Sequence, residues 1–508
     1  MAILEQVLAA EWLLVLGLAA IYAANQTHKY HRLRHFKGPF GTGWSEIPHI
    51  RAILSHKSHL WYKNVTDRYG KIARIGPNDL LTSSPEVLSH MSAVRSPYTR
   101  TSWYNRASRV EPGRDHIFSQ CDEDKHTKRR QQMAAGYSGK ENTDLEPTID
   151  IYVSQLLALI KRKYLSNAKE ARAMDLAKKI QYLTLDVIAH VGFGQAFGNL
   201  ARDEDVDGYI RCSEQGIGLL AFVCAIGFLP FLQWAPIARL IGPKETDKEG
   251  HGKMMVTARR LIDDRIEKGE MDRRSDMLAA FMRHGLTRED LFTESFLQII
   301  AGSDTTATAI RGTMLYVLSN PRVYNKLREE IDDAVAEGRV GDGIVSDAQA
   351  KEMPYLQAVL REGFRIHPPV TDIAPKKVPP GGDTVIVDGE SVILPGNANI
   401  GYSVFGLNHD TSIFGPDADQ FRPERWLINN AEDEKRVAEM RKTTELIFGY
   451  GKYQCLGKNI AWMEYSKVIF ELLRHFDWAT AKPETPWKEM NYIGIFVHEE
   501  QWVIITER

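Results

Sequence analysis

The sequence is poor in cysteine and close to electrical neutrality. Only four cysteines occur in 508 residues, namely Cys121, Cys212, Cys224 and Cys455. No two of them have the short spacing of a zinc site or a redox pair. A disulfide framework is therefore not indicated, and we expect reduced thiols on the cytosolic side of a membrane. The formal net charge of -2 provides no basic field for a phosphate backbone, which argues against a nucleic-acid partner.

Internal repeats, low-complexity tracts and linkers are also missing beyond the amino-terminal region. The length would allow about three domains of average size, but without a linker one large body is the better interpretation. Helical periodicity of apolar residues extends through most of this body. Strand patterns are short and lie in residues 71–82, 384–402 and 492–506, the second with a turn at Asp388-Gly389. We predict a mainly α body with small peripheral β-sheets.

The amino terminus carries an apolar segment, residues 7–24, that is interrupted only by Glu11. As a helix this segment would span roughly 27 Å, close to the hydrocarbon thickness of a bilayer. Basic residues follow the segment and none precedes it, which predicts that the body faces the cytosol. Two alternatives stay open: a cleaved signal peptide, and a helix on the membrane surface, which Glu11 favours.

We therefore predict three parts of the chain. Residues 1–27 are expected to form a membrane anchor, and residues 28–45 a basic, Pro/Gly-rich hinge. Residues 46–508 are expected to form the single large domain.

A glycine-rich loop surrounds Cys455. Residues 448–457 read FGYGKYQCLG and precede an apolar helical run, so the cysteine is expected just before a helix amino terminus. Unpaired backbone N–H groups and the helix dipole favour a thiolate there, which is the form that binds metal ions. Gly449, Gly451 and Gly457 allow the backbone to pass close to something flat and bulky. The residues alone leave three interpretations open, namely a packed thiol, a nucleophile that has no local base, and a metal ligand.

The loop resembles the haem-binding signature of the cytochrome P450 family, F-x-x-G-x-R-x-C-x-G, with Phe448, Gly451, Cys455 and Gly457 in register. The resemblance implies that Cys455 is the axial thiolate ligand of the iron in haem b. One position departs from the signature, because the arginine that bonds a haem propionate in the family is Tyr453 here. A phenol can donate a hydrogen bond but brings no charge. The form GKYQCLGK is similar to microsomal members from the secondary metabolism of filamentous fungi.

A second segment is similar to another element of the family. A helix of about 30 residues is predicted after a capping signal at Thr287, with the sequence AGSDTT in its middle. By itself this segment is equally typical of a helix bent by threonine hydroxyls that bond back to carbonyls. Its similarity to the family's [A/G]-G-x-[D/E]-T segment implies that Asp304 and Thr305 deliver protons during O2 activation. The same similarity implies that Ala301 and Gly302 leave room for the ligand.

Glu362 and Arg365 are separated by one helical turn, which by itself is usually a surface pair worth a few tenths of a kcal/mol. Together with the sequence FRPERW at 421–426, which contains Arg425, they resemble the family's E-x-x-R and P-E-R-[F/W] elements. The resemblance implies a buried charge triad of Glu362, Arg365 and Arg425 beneath the haem.

Three further positions are expected at the haem propionates. His126 and Arg130 are four residues apart on a predicted helix, for which a solvated basic face is an equally common interpretation. Their similarity to the family's W/H-x-x-x-R element implies propionate contacts. Lys376 stands about where family members carry another propionate arginine, although lysine lacks the forked geometry of arginine.

The resemblance as a whole implies a monooxygenase that inserts one oxygen atom of O2 into a C–H bond of a lipophilic small molecule, which we expect to be terpenoid- or polyketide-like. No dinucleotide fingerprint or flavin domain is present in the sequence, so electrons from NADPH are expected through a separate NADPH-cytochrome P450 reductase, with cytochrome b5 as a further candidate donor. The expected location is the endoplasmic reticulum membrane, with a single span and a cytosolic catalytic domain. The alternative is a haem-thiolate binding or sensor protein without turnover.

Register with the family also implies which residues line the substrate pocket. These are expected in residues 98–118, 217–232, 296–303, 370–374 and 493–496, many of which are apolar. Within the second range, the sequence GFLPFL is typical either of a segment that dips into a membrane or of a buried helix end.

Overall fold

Helices form most of the protein, as the periodicity of its apolar residues predicts. The computed structural model describes residues 2–102, 109–244, 246–269 and 274–508, with side chains from residue 12 onward except at 235 and 241. Residues 103–108 of the expected pocket lining lie outside this description.

The α-helices are numbered here in chain order. They are α1 Ala2–Arg32, α2 Ile47–Leu54, α3 Ser58–Tyr69, α4 Pro85–Ser92, α5 Glu123–Tyr137, α6 Leu145–Leu159, α7 Leu176–Phe193, α8 Asn199–Arg202, α9 Tyr209–Ala225, α10 Leu229–Leu232, α11 Ala235–Ile241, α12 Gly250–Lys268, α13 Met277–Arg283, α14 Arg288–Leu318, α15 Pro321–Ala336, α16 Asp347–Lys351, α17 Pro354–Ile366, α18 Val404–Asn408, α19 Thr411–Phe414, α20 Ala431–Thr444 and α21 Lys458–His475.

The strands are short and follow the same numbering. They are β1 Ile72–Arg74, β2 Asp79–Thr82, β3 Thr99–Arg100, β4 Leu165–Ser166, β5 Ala173–Asp175, β6 Lys376–Lys377, β7 Asp383–Val387, β8 Glu390–Leu394, β9 Asn399–Tyr402, β10 Phe476–Thr480, β11 Lys488–Tyr492, β12 Ile495–Glu499 and β13 Trp502–Glu507. The prediction of a mainly α protein with small sheets is confirmed.

The long helix α14 passes through the middle of the fold. It begins directly after Thr287, whose side chain accepts a hydrogen bond from the Asp290 backbone N–H, as the capping signal predicts. Most of its side chains are buried, and α7 packs along it. One large hydrophobic core joins these two helices to α6, α17 and α21, so the middle of α14 is held on several sides.

The sheets pack around this helical body. The five-stranded sheet has the order β1-β2-β9-β6-β3, and a second sheet has the order β10-β13-β4, with β5 also paired to β13. Strands β7 and β8 form a hairpin whose turn is the predicted Asp388-Gly389 pair, both residues with positive φ, as a two-residue type I′ turn requires. The two-residue strands β3 and β6 were not predicted.

The amino-terminal helix α1 continues to Arg32, so residues 28–32 of the predicted hinge are helical, and the hinge's first glycine and proline follow at Gly38 and Pro39. Between Trp12 and Tyr22 its large apolar side chains are exposed. Within the described residues, no helix combines the length and the apolar character that crossing a membrane requires. The transmembrane helix expected from the sequence therefore stays a prediction.

Candidate active site

The loop around Cys455 is held by its own backbone. The Cys455 N–H donates to the Phe448 carbonyl at 2.7 Å, and a single helical turn, Gly451–Tyr453, fills the space between them. Helix α21 begins at Lys458, and the backbone N–H groups of Gly457 and Lys458 donate to the sulfur. This is the position before a helix amino terminus that the sequence predicts.

The Cys455 thiol is surrounded by protein and is nevertheless accessible to solvent, as expected for the wall of an internal cleft. Burial raises the pKa of this thiol. The two backbone N–H groups and the charge of Arg130 act in the opposite direction. The loop therefore favours a thiolate once a cation faces the sulfur.

Helix α14 borders the same region. A Cβ placed on Gly457 would lie 3.9 Å from both the Cys455 sulfur and the Tyr137 ring, and the Tyr137 hydroxyl accepts a hydrogen bond from Gln298 of α14 at 3.0 Å. About one turn further along α14, Ala301 is exposed, whereas Ile299 and Ser303, two residues away on either side, are buried. We infer that the thiol and the middle of α14 border one cleft.

Two glycines of the predicted site have close neighbours within the protein itself. A Cβ on Gly302 would lie 2.6 Å from the Ile188 side chain, so this glycine permits close packing of α14 on α7. Gly451 has a φ of 57°, and its Cβ would lie 2.3 Å from the Ser92 carbonyl oxygen. It is therefore required by the protein's own backbone at the end of α4.

Asp304 and Thr305 lie next to each other in α14. The Thr305 hydroxyl donates to the Ala301 carbonyl at 2.8 Å, the back-bonding that the sequence left as an alternative. Gln181 of α7 donates to the Asp304 carboxylate, and Arg311 in turn donates to Gln181 at 2.7 Å. Burial raises the pKa of Asp304, and the Arg311 charge and the Gln181 hydrogen bond only partly offset this effect. The pair is thus a partly buried acid that is followed in the chain by a partly buried hydroxyl.

A second carboxyl that the sequence did not indicate lies near Asp304. Glu214 of α9 lines a small cavity of about 30 Å³ together with Asp304, Gln181 and Arg311. Burial raises the pKa of Glu214 to about 7. The neighbourhood of Asp304 therefore contains two carboxyl groups and one buried cation.

Cationic side chains converge on one side of the cysteine loop. Lys376 is buried, with its ammonium donating to the Ser92 hydroxyl at 2.6 Å, and Arg130 donates to the Gln454 carbonyl at 2.6 Å. The sequence did not indicate two further members, Arg100 and Lys452, although Arg100 falls in the expected pocket lining and Lys452 adjoins Tyr453. The four basic groups come from separate parts of the chain.

These like charges are close enough to affect one another. Arg100 and Lys376 are directly opposite each other on β3 and β6, an arrangement that repulsion makes unfavourable without a counter-ion. Burial, followed by the charges of Arg100 and Lys452, lowers the pKa of Lys376 to about 7, and Glu123 acts in the opposite direction. The arrangement is suited to an anionic partner.

His126 lies beside this group and is also buried. Its Nδ1 has no hydrogen-bond partner among the described residues. Burial lowers the pKa of its imidazole to about 3, and Arg100, Arg130 and Lys452 act in the same direction. A neutral imidazole with an unpaired nitrogen can bond to an added polar group.

Tyr453, which replaces the expected arginine, is already engaged. Its hydroxyl donates to the Glu123 carboxylate. Burial raises the pKa of the phenol, and the hydrogen bond to Glu123 raises it as well, by a smaller amount. Three cations approach its ring, with Arg100 at 4.5 Å, Lys376 at 4.9 Å and Lys452 at 5.1 Å from the centroid. The Tyr453 ring is therefore a shared contact for the Arg100, Lys376 and Lys452 cations.

The structure brings Glu362, Arg365 and Arg425 into mutual contact, and all three are buried. Two nitrogens of Arg365 donate to the Glu362 carboxylate at 2.8 Å, and Arg425 donates to it at 3.0 Å. Phe364, next to Arg365 in sequence, packs edge-on against Phe448, with ring centroids 5.4 Å apart. The triad thus supports the loop that carries Cys455.

The residues fit a haem group. The thiol at a helix start could bind iron, and Ala301 of α14 is exposed. The excess of buried cations, together with an unpaired imidazole nitrogen, matches a ligand with anionic substituents. A site of this kind in a mainly helical body is typical of haem-thiolate proteins.

Comparison with known proteins identifies the family. Residues 42–505 match the family model described as Cytochrome P450. The chain is 41% identical to "Cytochrome P450 monooxygenase ABA1" of Pyricularia oryzae strain 70-15, covering 99% of this chain and 98% of that protein. It is 36% identical to "Cytochrome P450 monooxygenase aba1" of Botryotinia fuckeliana strain B05.10, covering 90% and 88%. It is 33% identical to "Cytochrome P450 monooxygenase abl1" of Leptosphaeria maculans, covering 92% and 82%.

The protein belongs to the cytochrome P450 family and is an oxidoreductase of the monooxygenase type. The family implies haem iron as the cofactor.

Proposed function

We propose that the protein is a membrane-bound monooxygenase that inserts one oxygen atom of O2 into a C–H bond of a lipophilic secondary metabolite, terpenoid- or polyketide-like, with electrons from NADPH through a separate reductase. The observation that carries the proposal is the accessible Cys455 thiol before α21, which Tyr137 links to α14, the helix that contains Asp304 and Thr305. A thiolate ligand, together with a partly buried acid and a hydroxyl on a neighbouring helix, is a combination suited to O2 activation.

Cys455 is proposed as the thiolate that would hold the haem iron. The backbone N–H groups of Gly457 and Lys458 hold its sulfur, and Arg130 adds positive charge nearby. Arg130, His126 and Lys376 are proposed to bind the haem propionates. When bound, the haem supplies the O2 chemistry, and the protein supplies orientation, protons and exclusion of water.

Asp304 and Thr305 are proposed to move protons toward the cleft. Because burial raises the pKa of Asp304, its carboxyl can hold a proton more readily than an exposed aspartate can. The Thr305 hydroxyl donates to the Ala301 carbonyl, which leaves its oxygen lone pairs available as acceptors.

An exposed apolar surface beside the expected pocket supports a membrane route for the substrate. In the segment GFLPFL, Leu229 is buried, whereas Phe228 and Phe231 are about half exposed, at 48% and 49%. The neighbouring exposed apolar side chains are Leu219, Leu220, Phe222, Ile226, Trp234 and Leu240. A surface this apolar favours contact with a bilayer.

The proposed location is the endoplasmic reticulum membrane, with one amino-terminal span in residues 1–27 and the catalytic domain, residues 46–508, in the cytosol. The exposed apolar face of α1 between Trp12 and Tyr22 supports this location. Carbonate extraction of microsomes should leave the full chain in the membrane pellet, whereas a chain lacking residues 2–27 should be released. Release of both forms would contradict the anchor.

A basic concavity behind the cysteine loop supports docking of an acidic electron donor such as the reductase or cytochrome b5. It has a volume of about 190 Å³ and is lined by Arg361, Arg441 and Lys458 with the aromatic residues Phe448 and Trp462. Arg441→Glu should slow reduction by the reductase several-fold at low salt. Lys442→Glu is the matched control, since it changes the same charge at the next position without lining the concavity. Equal effects of the two changes would contradict docking here.

The decisive experiment combines spectroscopy with turnover. The full-length protein should give a thiolate-type band in its reduced carbon monoxide difference spectrum, and Cys455→Ser should lose it. Identical histidine-like spectra would contradict the assignment of Cys455. Product formation from NADPH, reductase and a terpenoid or polyketide that shifts the Soret band then separates a monooxygenase from a haem-thiolate sensor, which would bind without turnover.

A further inference from the structure

A cluster of two histidines and a glutamate lies away from the cysteine loop. Glu489 of β11 and His498 of β12 are directly opposite each other in the hairpin that these strands form. His367 follows the last residue of α17 and reaches the same point. Three separate segments of the chain therefore contribute one side chain each.

The three side chains direct their ligand atoms at one position. His367 Nε2 lies 2.7 Å and His498 Nε2 lies 3.1 Å from the same carboxylate oxygen of Glu489. All three ligand atoms lie within 4.8 Å of one another. Zinc–nitrogen and zinc–oxygen bonds of about 2.0 to 2.2 Å place neighbouring ligands of a tetrahedral ion about 3.3 Å apart. Small movements of the side chains would reach that spacing.

The two imidazoles are held in place by their surroundings. A Cβ on Gly312 of α14 would lie 3.3 Å from the His367 ring, so this histidine packs closely on the long helix. The His498 ring stacks on Trp487 at 4.2 Å, and both histidine side chains are buried. The Glu489 side chain is 26% exposed, which gives an ion an entry path and allows water as a fourth ligand.

We propose that His367, Glu489 and His498 bind one divalent transition-metal ion, zinc by preference. Two imidazole nitrogens and one carboxylate oxygen are a ligand set that zinc accepts while keeping an open position. Neither His367 Nδ1 nor His498 Nδ1 has a hydrogen-bond partner among the described residues. Because such outer partners strengthen metal sites, we expect an exchangeable ion of moderate affinity.

A bound ion would clamp the hairpin to the end of α17. The same hairpin places Ile495 and Phe496 beside Asp304 in the small cavity next to α14. Occupancy by zinc would therefore reduce the motion of the hairpin against the long helix. The metal site itself does not depend on the proposed monooxygenase reaction.

The test is equilibrium dialysis of the full-length haem protein against zinc, with zinc and iron measured by mass spectrometry. Wild type should bind one equivalent of zinc that Glu489→Gln and His498→Gln lose or bind at least about tenfold more weakly. His284→Gln is the matched control, because His284 is an exposed histidine paired with a single carboxylate, Glu141. Equal zinc binding by all four proteins would overturn the proposal.

A second measurement avoids variants that fail to fold. X-ray absorption at the zinc edge of the wild-type protein, which the haem iron does not obscure, should show two imidazole nitrogens and a carboxylate oxygen around zinc. A shell without imidazole would overturn the proposal.

Discussion

Substitution of Glu362 by glutamine tests how the buried charge triad supports the fold. The carboxylate accepts five hydrogen bonds, two from Arg365, one from Arg425, one from the Trp426 indole and one from the Arg422 backbone N–H. A glutamine oxygen can accept about two of them, and its amide group would direct N–H bonds at a guanidinium. Two buried cations would also lose their shared counter-charge.

The expected loss of stability depends on the hydrogen bonds that Arg365 keeps in the variant. Arg365 keeps three carbonyl acceptors, those of Asn408, Ala418 and Gln420, so its charge is still partly stabilised. We therefore expect the free energy of unfolding to fall by about 3 to 5 kcal/mol, the range measured for breaking a buried ion pair. The total stability of a folded protein is about 5 to 15 kcal/mol. Haem content should fall together with stability, because Phe364, next to Arg365, packs against Phe448 in the cysteine loop.

The matched control is Glu424→Gln, which makes the same chemical change near the triad. Glu424 bonds to Arg322 and Tyr355, and Arg322 is largely exposed, so we expect a loss of at most about 1 kcal/mol. The assays are urea denaturation followed by circular dichroism, soluble yield, and haem per protein chain. If both variants unfold at the same urea concentration and carry the same haem, the reasoning about the buried triad is wrong.

The remaining predictions concern the cation cluster, the α14 hydroxyl and a buried acid. Arg130→Ala should lower haem per chain well beyond any loss of folded protein, since propionates would lose a charged partner. Thr305→Ala should lower product formed per NADPH consumed, because a proton donor is lost, while the carbon monoxide band keeps its position. Burial raises the pKa of Asp372 to about 7, so the folded state holds a proton that the unfolded chain releases. Its contribution to stability should therefore fall as pH rises from about 4 to 7, and Asp372→Asn should flatten that part of the denaturation profile.

Each of these changes has its own control. Lys128→Ala removes an exposed charge from the same helix as Arg130 and should leave haem content unchanged. Thr305→Ser keeps the hydroxyl and should restore the amount of product formed per NADPH consumed. A serine variant with a yield as low as that of Thr305→Ala would argue against proton delivery. Asp342→Asn removes an exposed carboxyl, and a pH profile altered equally by it and by Asp372→Asn would contradict the role of burial.

Long periodic elements and motifs with fixed local spacing could be predicted from the sequence. Helix α14 has a capping residue and a continuous helical pattern of apolar residues, and the β7–β8 hairpin has an Asp-Gly turn. Interactions between residues that are close in sequence therefore determine both elements. Glu362 and Arg365 are one helical turn apart, and any helix brings them together. Their burial depends on tertiary packing, and only the family resemblance suggested it.

Features that depend on distant contacts could not be predicted. Strands β3 and β6 have two residues each, too few to show a periodicity, so the sequence did not indicate that Arg100 faces Lys376. The role of Gly302 depends on Ile188 of α7, more than a hundred residues away. Tyr453 was correctly noted as a departure, but its bond to Glu123 and the cations around its ring needed the fold.

The like charges on β3 and β6 have a consequence for how the protein matures. A newly made chain must close the edge of its largest sheet against the mutual repulsion of Arg100 and Lys376. Under the proposed function the haem propionates would be the counter-ions that relieve this repulsion, so closing of this edge and loading of the haem would occur together. We expect haem-starved cells to accumulate chains in which β3 is cut readily by proteases, and haem supply to act as a quality checkpoint during biosynthesis.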